Sequence, residues 1–499
     1  MSSRRTKKYV SLGLMGDLRH GLRELTSKTS PEHKAGVLFF IVLGAVLKGL
    51  LLNRPVSIGE ANAYVDFATK SVGTIISDYS FPTNHIFQTL LMKLSTTLFG
   101  VGVVQIRLPD YIAGVLALPL FYVFVRAMFN RHIAILALVI VACSGPLVSV
   151  GAMAVGFGVC WFFFTLSLLL GRYFIKSNDM KSVMFIALAN AFGLWTMPSY
   201  AYAALAIFIW LLIALIMAYT NSLRERLIRL VFAFIVFILV ALVLYAPILN
   251  EQGFDQLTNH HSHPRLDWKV FDLRHTDMSF NLWALGVDAT SGWITAFGLI
   301  GLVYAAFVSS KLRALLFSLF LAGVILCLLM RRMEPPGVWC YTFYIFHLSS
   351  AIAVFYLLKF LQEKVFPNWG KRSRTLVASL ILAVLFGWTG LDYAWSRTGG
   401  APEAEVVVTM IGERLRPGDK FYVQHPWDAP IEFLLLAEGA DTSVLDGPVA
   451  PGGKLMVAVS KRPEQTVEAV LRSHGQDPSR WNDLQMVQEW SGLKIFAAP

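Results

Sequence analysis

Residues 57–64 read SIGEANAY, and three short stretches follow them: PTNH at 82–85, LFG at 98–100 and RLP at 107–109. They follow the first long apolar run of the chain, and RLP stands near the start of the second. The segment that they occupy also carries most of the charged residues of this region, including Glu60, Asp66 and His85. Because charged side chains are rare in hydrocarbon, we expect this segment to lie outside a membrane, where acid–base chemistry is possible.

Apolar residues are arranged in long runs along the whole chain. Of its 499 residues, 56% are hydrophobic and only 15% are charged, a composition that excludes an ordinary soluble protein. A helix needs about 20 residues to cross a bilayer. Eleven runs approach that length: 35–53, 105–127, 133–150, 153–173, 182–198, 200–219, 228–249, 293–310, 313–330, 339–358 and 375–394. The sequence therefore predicts a polytopic α-helical membrane protein with about eleven transmembrane helices.

The basic residues indicate how the chain is oriented. The net charge is +11, but most Lys and Arg residues before the C-terminal tail fall in alternate segments between the apolar runs. This is the positive-inside pattern, so the charge does not indicate nucleic acid binding. With the N-terminus in the cytoplasm, the loops 54–104 and 250–292 and the C-terminal tail lie outside. Residues 1–34 are basic and carry leucines at helical spacing; they form a cytoplasmic amphipathic segment or a disordered tail.

The chain divides into three parts by composition. After the segment 1–34 and the transmembrane part 35–395, residues 396–499 regain charges of both signs. Within this tail the patterns predict helices over 406–415 and 466–473 and strands over 420–424, 454–460 and 493–497. We expect a small extracytoplasmic α/β domain. In the first outer loop, residues 84–99 are amphipathic and predict a helix at the membrane interface.

The order and spacing of the four short stretches resemble those of GT-C membrane glycosyltransferases. Within this group the chain is similar to the protein mannosyltransferase and lipid A aminoarabinose transferase branch, which is glycosyltransferase family 39-like. The resemblance implies a GT-C fold and transfer of a sugar, with inversion, from a polyprenyl phosphate to a glycan, lipid or protein acceptor on the outer face. It implies no cofactor. Because the chain lacks an Asn-x-Ser/Thr sequon, we expect the bacterial inner membrane, with a periplasmic C-terminal domain.

The resemblance also suggests catalytic residues. Related enzymes carry Asp-Glu where this chain carries Gly59-Glu60. We expect Glu60 to replace the missing aspartate as the general base, with Asp66 as the second candidate. The alternative is that Glu60 is a structural carboxylate. Relatives also carry a second polar group at the start of the fourth span, where this chain has none between Gly151 and Phe157.

Cations near the outer ends of the spans are candidates for binding the donor phosphate. Arg331 and Arg332 stand together at such an end, and guanidinium groups suit phosphate oxygens. Snorkelling to lipid headgroups is their alternative role. His85 would donate a charge-assisted hydrogen bond to phosphate, or cap a helix together with Asn84. Arg107 would bind phosphate or pair with a loop carboxylate.

Polar and aromatic residues of the two outer loops are candidates for binding the acceptor or the sugar. They are Tyr64, Asn84, His260, His261, His263 and Trp268. The histidines with Asp267 would alternatively hold a divalent metal. Trp268 would alternatively anchor the loop at the membrane interface.

Two other functions stay open. The absence of an Asp before Glu60 is compatible with a non-catalytic, lipid-binding member of the same fold. A transporter or flippase is the second alternative, although the sequence shows no convincing repeat of halves.

Overall fold

The computed structural model describes residues 29–218, 222–258, 265–271, 292–331, 334–365, 370–397, 400–461 and 463–498, with the single positions 284, 288, 290 and 367. The helices before the C-terminal domain are α1 Pro31–Gly49, α2 Ile58–Asn62, a π-helix Ala63–Ala68, α3 Val72–Ser77, α4 Ile86–Phe99, α5 Val103–Met128, α6 Arg131–Cys143, α7 Gly145–Val150, α8 Phe157–Ser177, α9 Met180–Thr196, α10 Ala201–Ala218, α11 Leu223–Glu251, α12 Phe254–Thr258, α13 Gly292–Val308, α14 Ser310–Met330, α15 Thr342–Lys364 and α16 Lys371–Arg397.

Ten of the eleven predicted spans each coincide with one helix, and the span 133–150 coincides with two, α6 and α7. In the described part of the chain, seven helices are long and apolar enough to cross a membrane: α5, α8, α10, α11, α14, α15 and α16. The prediction of a multi-pass helical membrane protein is therefore confirmed. The crossing of α1, α6, α9 and α13, and with it the total of eleven, stays a prediction.

The helix α6 forms the centre of the bundle. Its residues from His132 to Cys143 are all buried, and it contacts α1, α5, α15 and α16. A helix that is apolar on every side is buried on every side. The predicted single span 133–150 is divided there, because Ser144 is extended and Pro146 cannot continue the hydrogen bonding of the preceding helix.

The tail folds into an α/β unit. Its elements are α17 Pro402–Arg414, β1 Lys420–Tyr422, α18 Asp428–Glu438, β2 Leu455–Ser460, α19 Val467–Ser473, β3 Gln485–Glu489 and β4 Leu493–Ala497. The sheet order is β1-β2-β4-β3; β1 is parallel to β2, and the other two pairs are antiparallel. The predicted strands and helices match this unit, except that α18 and β3 were not predicted. All five residues of β3 are exposed, so it lacks the apolar alternation that identifies a strand.

This C-terminal unit contacts the first loop. The ring of Phe433 on α18 lies 5.3 Å from that of Tyr64, edge to face. The N–H of Ala401 donates to the Val56 carbonyl at 3.2 Å. Ala154, from the α7–α8 connection, belongs to the same apolar cluster. We call this end of the bundle the loop side. It comprises residues 50–102, residues 151–156 and the C-terminal unit.

Candidate functional site

Glu60 lies in a short helix that its own side chain helps to begin. The N–H of Glu60 donates to the Ser57 hydroxyl, and the Ser57 N–H donates to a Glu60 carboxylate oxygen at 2.9 Å. This reciprocal pair is a capping box, and its sequence signature is Ser-x-x-Glu. The SIGE of residues 57–60 therefore encodes the start of α2.

The same carboxylate forms a buried ion pair with Arg107. The Nε and Nη2 atoms of Arg107 each donate to one Glu60 oxygen at 2.7 Å, and neither side chain is exposed. The remaining guanidinium donors bind the carbonyls of Leu51, Leu52, Arg54 and Pro55. Arg107 thus has no donor left for phosphate. Of its two expected roles, the structure shows pairing with a loop carboxylate.

This environment favours the structural role of Glu60, the alternative to its expected role as the general base. Besides Arg107 and Ser57, the Ala154 N–H donates to the carboxylate at 2.7 Å. Burial disfavours the ionised form, but the Arg107 guanidinium and these hydrogen bonds outweigh it, so the pKa of Glu60 is lowered. To act as a base, Glu60 would have to give up hydrogen bonds that hold its fully buried carboxylate.

Gly59, next to this ion pair, borders open space. A Cβ atom built on Gly59 would meet no heavy atom within 4 Å. The residue is half-buried. Within the described part of the chain, no side chain thus occupies the place where the resemblance expects an aspartate.

Asp66 is the carboxylate that the fold leaves free. It lies in the π-helix and is half-buried, and within the described chain no group donates a hydrogen bond to it. Burial raises its pKa, and the nearby Asp428 of α18 adds to this, while Lys70 and His425 oppose it. A raised pKa and an unoccupied carboxylate are what a general base at neutral pH requires. π-Helical turns are also frequent at functional sites.

The loop from residue 151 to 156 is held by carboxylates from two other elements. Glu60 binds the N–H of Ala154, and Asp110 of α5, fully buried, accepts from the N–H groups of Gly156 and Val159 at 2.5 and 3.0 Å. Sequence reasoning missed Asp110, although a carboxylate inside an apolar span was itself a signal.

Close backbone packing at Gly158 makes this arrangement sensitive to substitution. A Cβ atom on Gly158 would lie 2.2 Å from the Asp110 carbonyl oxygen. Gly158→Ala is therefore expected to lower the free energy of unfolding by about 1–3 kcal/mol, because backbone must shift to relieve the overlap. Thermal unfolding in detergent tests this. The matched control is Gly412→Ala, where a Cβ meets nothing within 4 Å; equal melting temperatures for the two variants would contradict the expectation.

The helix α4 turns its polar residues towards the protein. Gln88 is fully buried, whereas Leu94 and Leu98 are more than half exposed. Such an inverted arrangement suits a helix whose outer face contacts lipid. Both amide atoms of Gln88 and the hydroxyl of Thr89 lack hydrogen-bond partners in the described residues. Buried polar atoms are normally paired, so these unpaired groups are an exception within the described chain. Sequence reasoning missed both residues.

Asn84 and His85 differ from their expected roles. Asn84 is buried, and its amide donates to the carbonyls of Ile75 and Asp78 at 2.9 and 2.6 Å. Its amide nitrogen braces the loop, and Asn84 does not cap α4. The N-cap of α4 is His85, whose side chain makes no capping hydrogen bond. Burial lowers the pKa of His85 to about 4, so the imidazole is neutral at pH 7 and offers phosphate no positive charge.

The shifted pKa of His85 predicts a pH dependence of stability. The unfolded state takes up a proton near pH 6.5 and the folded state near pH 4, so the contribution of neutral His85 is complete above pH 6.5 and is lost as the pH falls towards 4. The loss is expected to reach up to about 3 kcal/mol. On acidification from pH 7 to pH 4, the variant His85→Gln should lose less stability than the wild type. If the melting temperatures of the two proteins fell equally over this pH range, the role assigned to His85 would be wrong.

Arg331 and Trp268 are brought together. The Arg331 guanidinium lies over the Trp268 ring, 5.4 Å from its centroid, and the Leu266 N–H donates to the Arg331 carbonyl. The Nε of Arg331 is buried without a hydrogen-bond partner. This pair lies on the loop side, because a Cβ on the following Gly337 would be 3.4 Å from Phe157. In the described contacts, nothing joins Arg331 directly to Glu60 or His85.

The other predicted site residues divide into two groups. Tyr64 is buried against Phe433 in the interface with α18, so it is not available to a sugar. Arg332, His260, His261 and His263 lie outside the described residues. Within the described part, no three His, Cys, Asp or Glu side chains are placed to hold a metal ion. The metal alternative at the histidines therefore stays a prediction.

Comparison with known proteins identifies the architecture. The structure of ArnT from Cupriavidus metallidurans in the apo state matches with a TM-score of 0.60 at 12% identity, covering 93% of this chain and 98% of that one. The chain has the GT-C fold. The same ArnT bound to undecaprenyl phosphate matches this GT-C protein with a TM-score of 0.58 at 13% identity, over 92% and 97% of the two chains. The resemblance expected from the sequence is confirmed for the fold.

More distant matches agree. The archaeal oligosaccharyltransferase AglB from Archaeoglobus fulgidus, in complex with an inhibitory peptide and a dolichol-phosphate, has a TM-score of 0.51 at 14% identity, covering 82% of this GT-C chain and 64% of AglB. Residues 86–246, from α4 to within α11, match the family described as dolichyl-phosphate-mannose-protein mannosyltransferase. No curated protein sequence matches the chain significantly.

Proposed function

We propose that this GT-C protein transfers a sugar from a polyprenyl phosphate to an acceptor on the loop side, which we take to be the extracytoplasmic face of a bacterial inner membrane. The observation that supports this most strongly is the match to ArnT over nearly the whole of both chains, including a structure with undecaprenyl phosphate bound. A polyprenyl tail stays in the bilayer, so its phosphate lies at the membrane surface, the depth at which Arg331 follows α14.

In this proposal Asp66, not Glu60, is the general base. Asp66 takes the proton from the acceptor group as that group attacks the anomeric carbon. The bond from that carbon to the phosphate oxygen breaks, and the phosphate leaves with the electron pair, with inversion at carbon. The free capacity and raised pKa of Asp66 support the assignment. The Glu60–Arg107 pair instead holds α2 and the loop 151–156 in position.

Arg331 is the proposed ligand of the leaving phosphate. Its unpartnered Nε and fixed place over Trp268 leave guanidinium donors for phosphate oxygens. Trp268, which is 57% exposed, would stack on the adjoining sugar. Arg332 and the histidines 260, 261 and 263 stay candidates on the same grounds as in the sequence.

Binding of undecaprenyl phosphate to the purified protein tests the phosphate site. Arg331→Ala is expected to weaken binding about 10- to 100-fold, the loss that accompanies one or two charge-assisted hydrogen bonds. The matched control is Arg397→Ala, which removes an exposed arginine paired with Asp288 and should leave the affinity unchanged. Equal affinities of the wild type and Arg331→Ala would refute the role of Arg331.

A non-catalytic, lipid-binding role is the second candidate. It is favoured by Gly59, which leaves the expected catalytic position without a carboxylate, and by the saturation of Glu60. This reading predicts undecaprenyl phosphate binding that depends on Arg331 but no turnover of a sugar-linked donor. Turnover of a sugar-linked donor therefore distinguishes the two candidate functions, whereas binding of undecaprenyl phosphate does not.

A further inference from the structure

A second pocket lies at the end of the bundle opposite to the loop side. It is formed where α5, α8 and α10 end and α14 begins, and its cavity has a volume of about 270 Å³. No part of the proposed transfer site contributes to it.

Two cations from different helices line this pocket. The Nε of Arg172 donates to the Ala127 carbonyl at 3.3 Å, and the Nζ of Lys311 donates to the Met128 carbonyl at 2.9 Å. Both therefore stand at the C-terminal end of α5, where the helix dipole favours positive charge. Each keeps unused donors, because the Arg172 Nη groups have no partner in the described chain and an ammonium group has three protons.

The lining supplies no negative charge. Among the described residues that form the pocket, none is Asp or Glu. The nearby Glu225 pairs with Arg229, and Asp179 caps α9. Two adjacent cations without a counter-charge repel each other, so a bound anion would stabilise them.

The other walls of the pocket are apolar and open towards the membrane. Trp210, Ala214 and Ile175 line it, together with Met217, which is 53% exposed on the outer surface of the bundle. A soluble anion would gain no binding energy from this apolar surface. A phospholipid matches it, with a phosphate for the cations and an acyl chain for the apolar wall.

We propose that this pocket binds the headgroup of an anionic phospholipid, with its phosphate between Arg172 and Lys311 and the start of an acyl chain along Met217. Basic pockets between transmembrane helices recognise such headgroups, and each Lys or Arg near the surface contributes about 1 kcal/mol. The inference does not depend on the sugar transfer proposed above.

Binding of defined lipids to the delipidated full-length protein in detergent tests this. Dioleoyl phosphatidylglycerol is expected to bind more tightly than dioleoyl phosphatidylcholine. Arg172→Gln with Lys311→Gln should weaken phosphatidylglycerol binding about 10- to 30-fold. The matched control, Lys181→Gln with Arg224→Gln, removes two exposed cations from the same end of the bundle and should bind within two-fold of the wild type.

Three outcomes would overturn the proposal: equal binding of both lipids, unchanged binding by the pocket variant, or an equal loss in the control. Competition by inorganic phosphate at the concentrations of the lipid would assign the pocket to a soluble anion and also overturn it. Should the charge variant fail to fold, Ala214→Phe fills the pocket from its lining while keeping both cations, and the same loss of phosphatidylglycerol binding is expected.

Discussion

Arg107→Ala is expected to lower the free energy of unfolding by about 3–5 kcal/mol, the usual cost of removing one partner of a buried ion pair. The substitution leaves the Glu60 carboxylate charged and buried, and it removes the donors that bind four carbonyls between Leu51 and Pro55. Because Glu60 also holds Ala154, the loop 151–156 should loosen with it. Thermal unfolding in detergent, supported by protease sensitivity of this loop, measures the effect.

The control for Arg107 is an arginine in an exposed ion pair. Arg397 and Asp288 are 58% and 49% exposed, and pairs of this kind contribute about 0–1 kcal/mol. Arg397→Ala should therefore melt close to the wild type. If Arg107→Ala melted there as well, the structural role assigned to the Glu60–Arg107 pair would be wrong, and Glu60 would return as the candidate base.

Asp66→Asn is expected to lower the turnover of a sugar-linked donor about 100- to 10,000-fold, the range for loss of a general base. The fold should be retained, because Asp66 makes no hydrogen bond within the described chain. The base must be deprotonated to act, and the pKa of Asp66 is raised by burial and by Asp428. Wild-type turnover should therefore fall on acidification at a higher pH than for an ordinary aspartate. The residual turnover of Asp66→Asn should not show this fall.

Glu432→Gln is the matched control for Asp66→Asn. Glu432 is also half-buried where α18 meets the first loop, and its pKa is raised by burial, by Asp446 and by Asp66. The substitution Glu432→Gln removes one negative charge beside Asp66 without removing the proposed base. The turnover of Glu432→Gln should stay within a few-fold of the wild type. A loss equal to that of Asp66→Asn would mean that both variants act by disturbing the contact between α18 and the first loop.

The arrangement of the helices could be predicted because it depends on local composition. Apolar runs produce the spans, and the same rule located β1, β2 and β4 in the tail. The edge strand β3 was missed because none of its residues is buried, and α18 because Pro430 stands in its first turn, where a helix tolerates proline.

The site was harder to predict because it depends on contacts between distant residues. The Ser-x-x-Glu capping signature at 57–60 was visible, yet the base role came from the resemblance, which transfers a motif without its partners. Glu60 meets Arg107 across 47 positions, and Asp110 meets Gly156 across 46. No local pattern specifies such pairs. The free state of Asp66 is likewise a property of the folded surroundings.

Turnover of undecaprenyl-phosphate-linked sugars by the purified protein, followed as release of undecaprenyl phosphate in the presence of a cell-envelope extract as acceptor, tests the proposed function most directly. Wild type, Asp66→Asn and Glu432→Gln are compared on one panel of sugars, with each variant shown to be folded by its melting temperature. We expect turnover of at least one donor by the wild type and Glu432→Gln, and at least about a 100-fold loss in Asp66→Asn. Full turnover by folded Asp66→Asn would contradict the assigned base, and no turnover of any donor by a wild type that binds undecaprenyl phosphate would contradict the proposed enzyme.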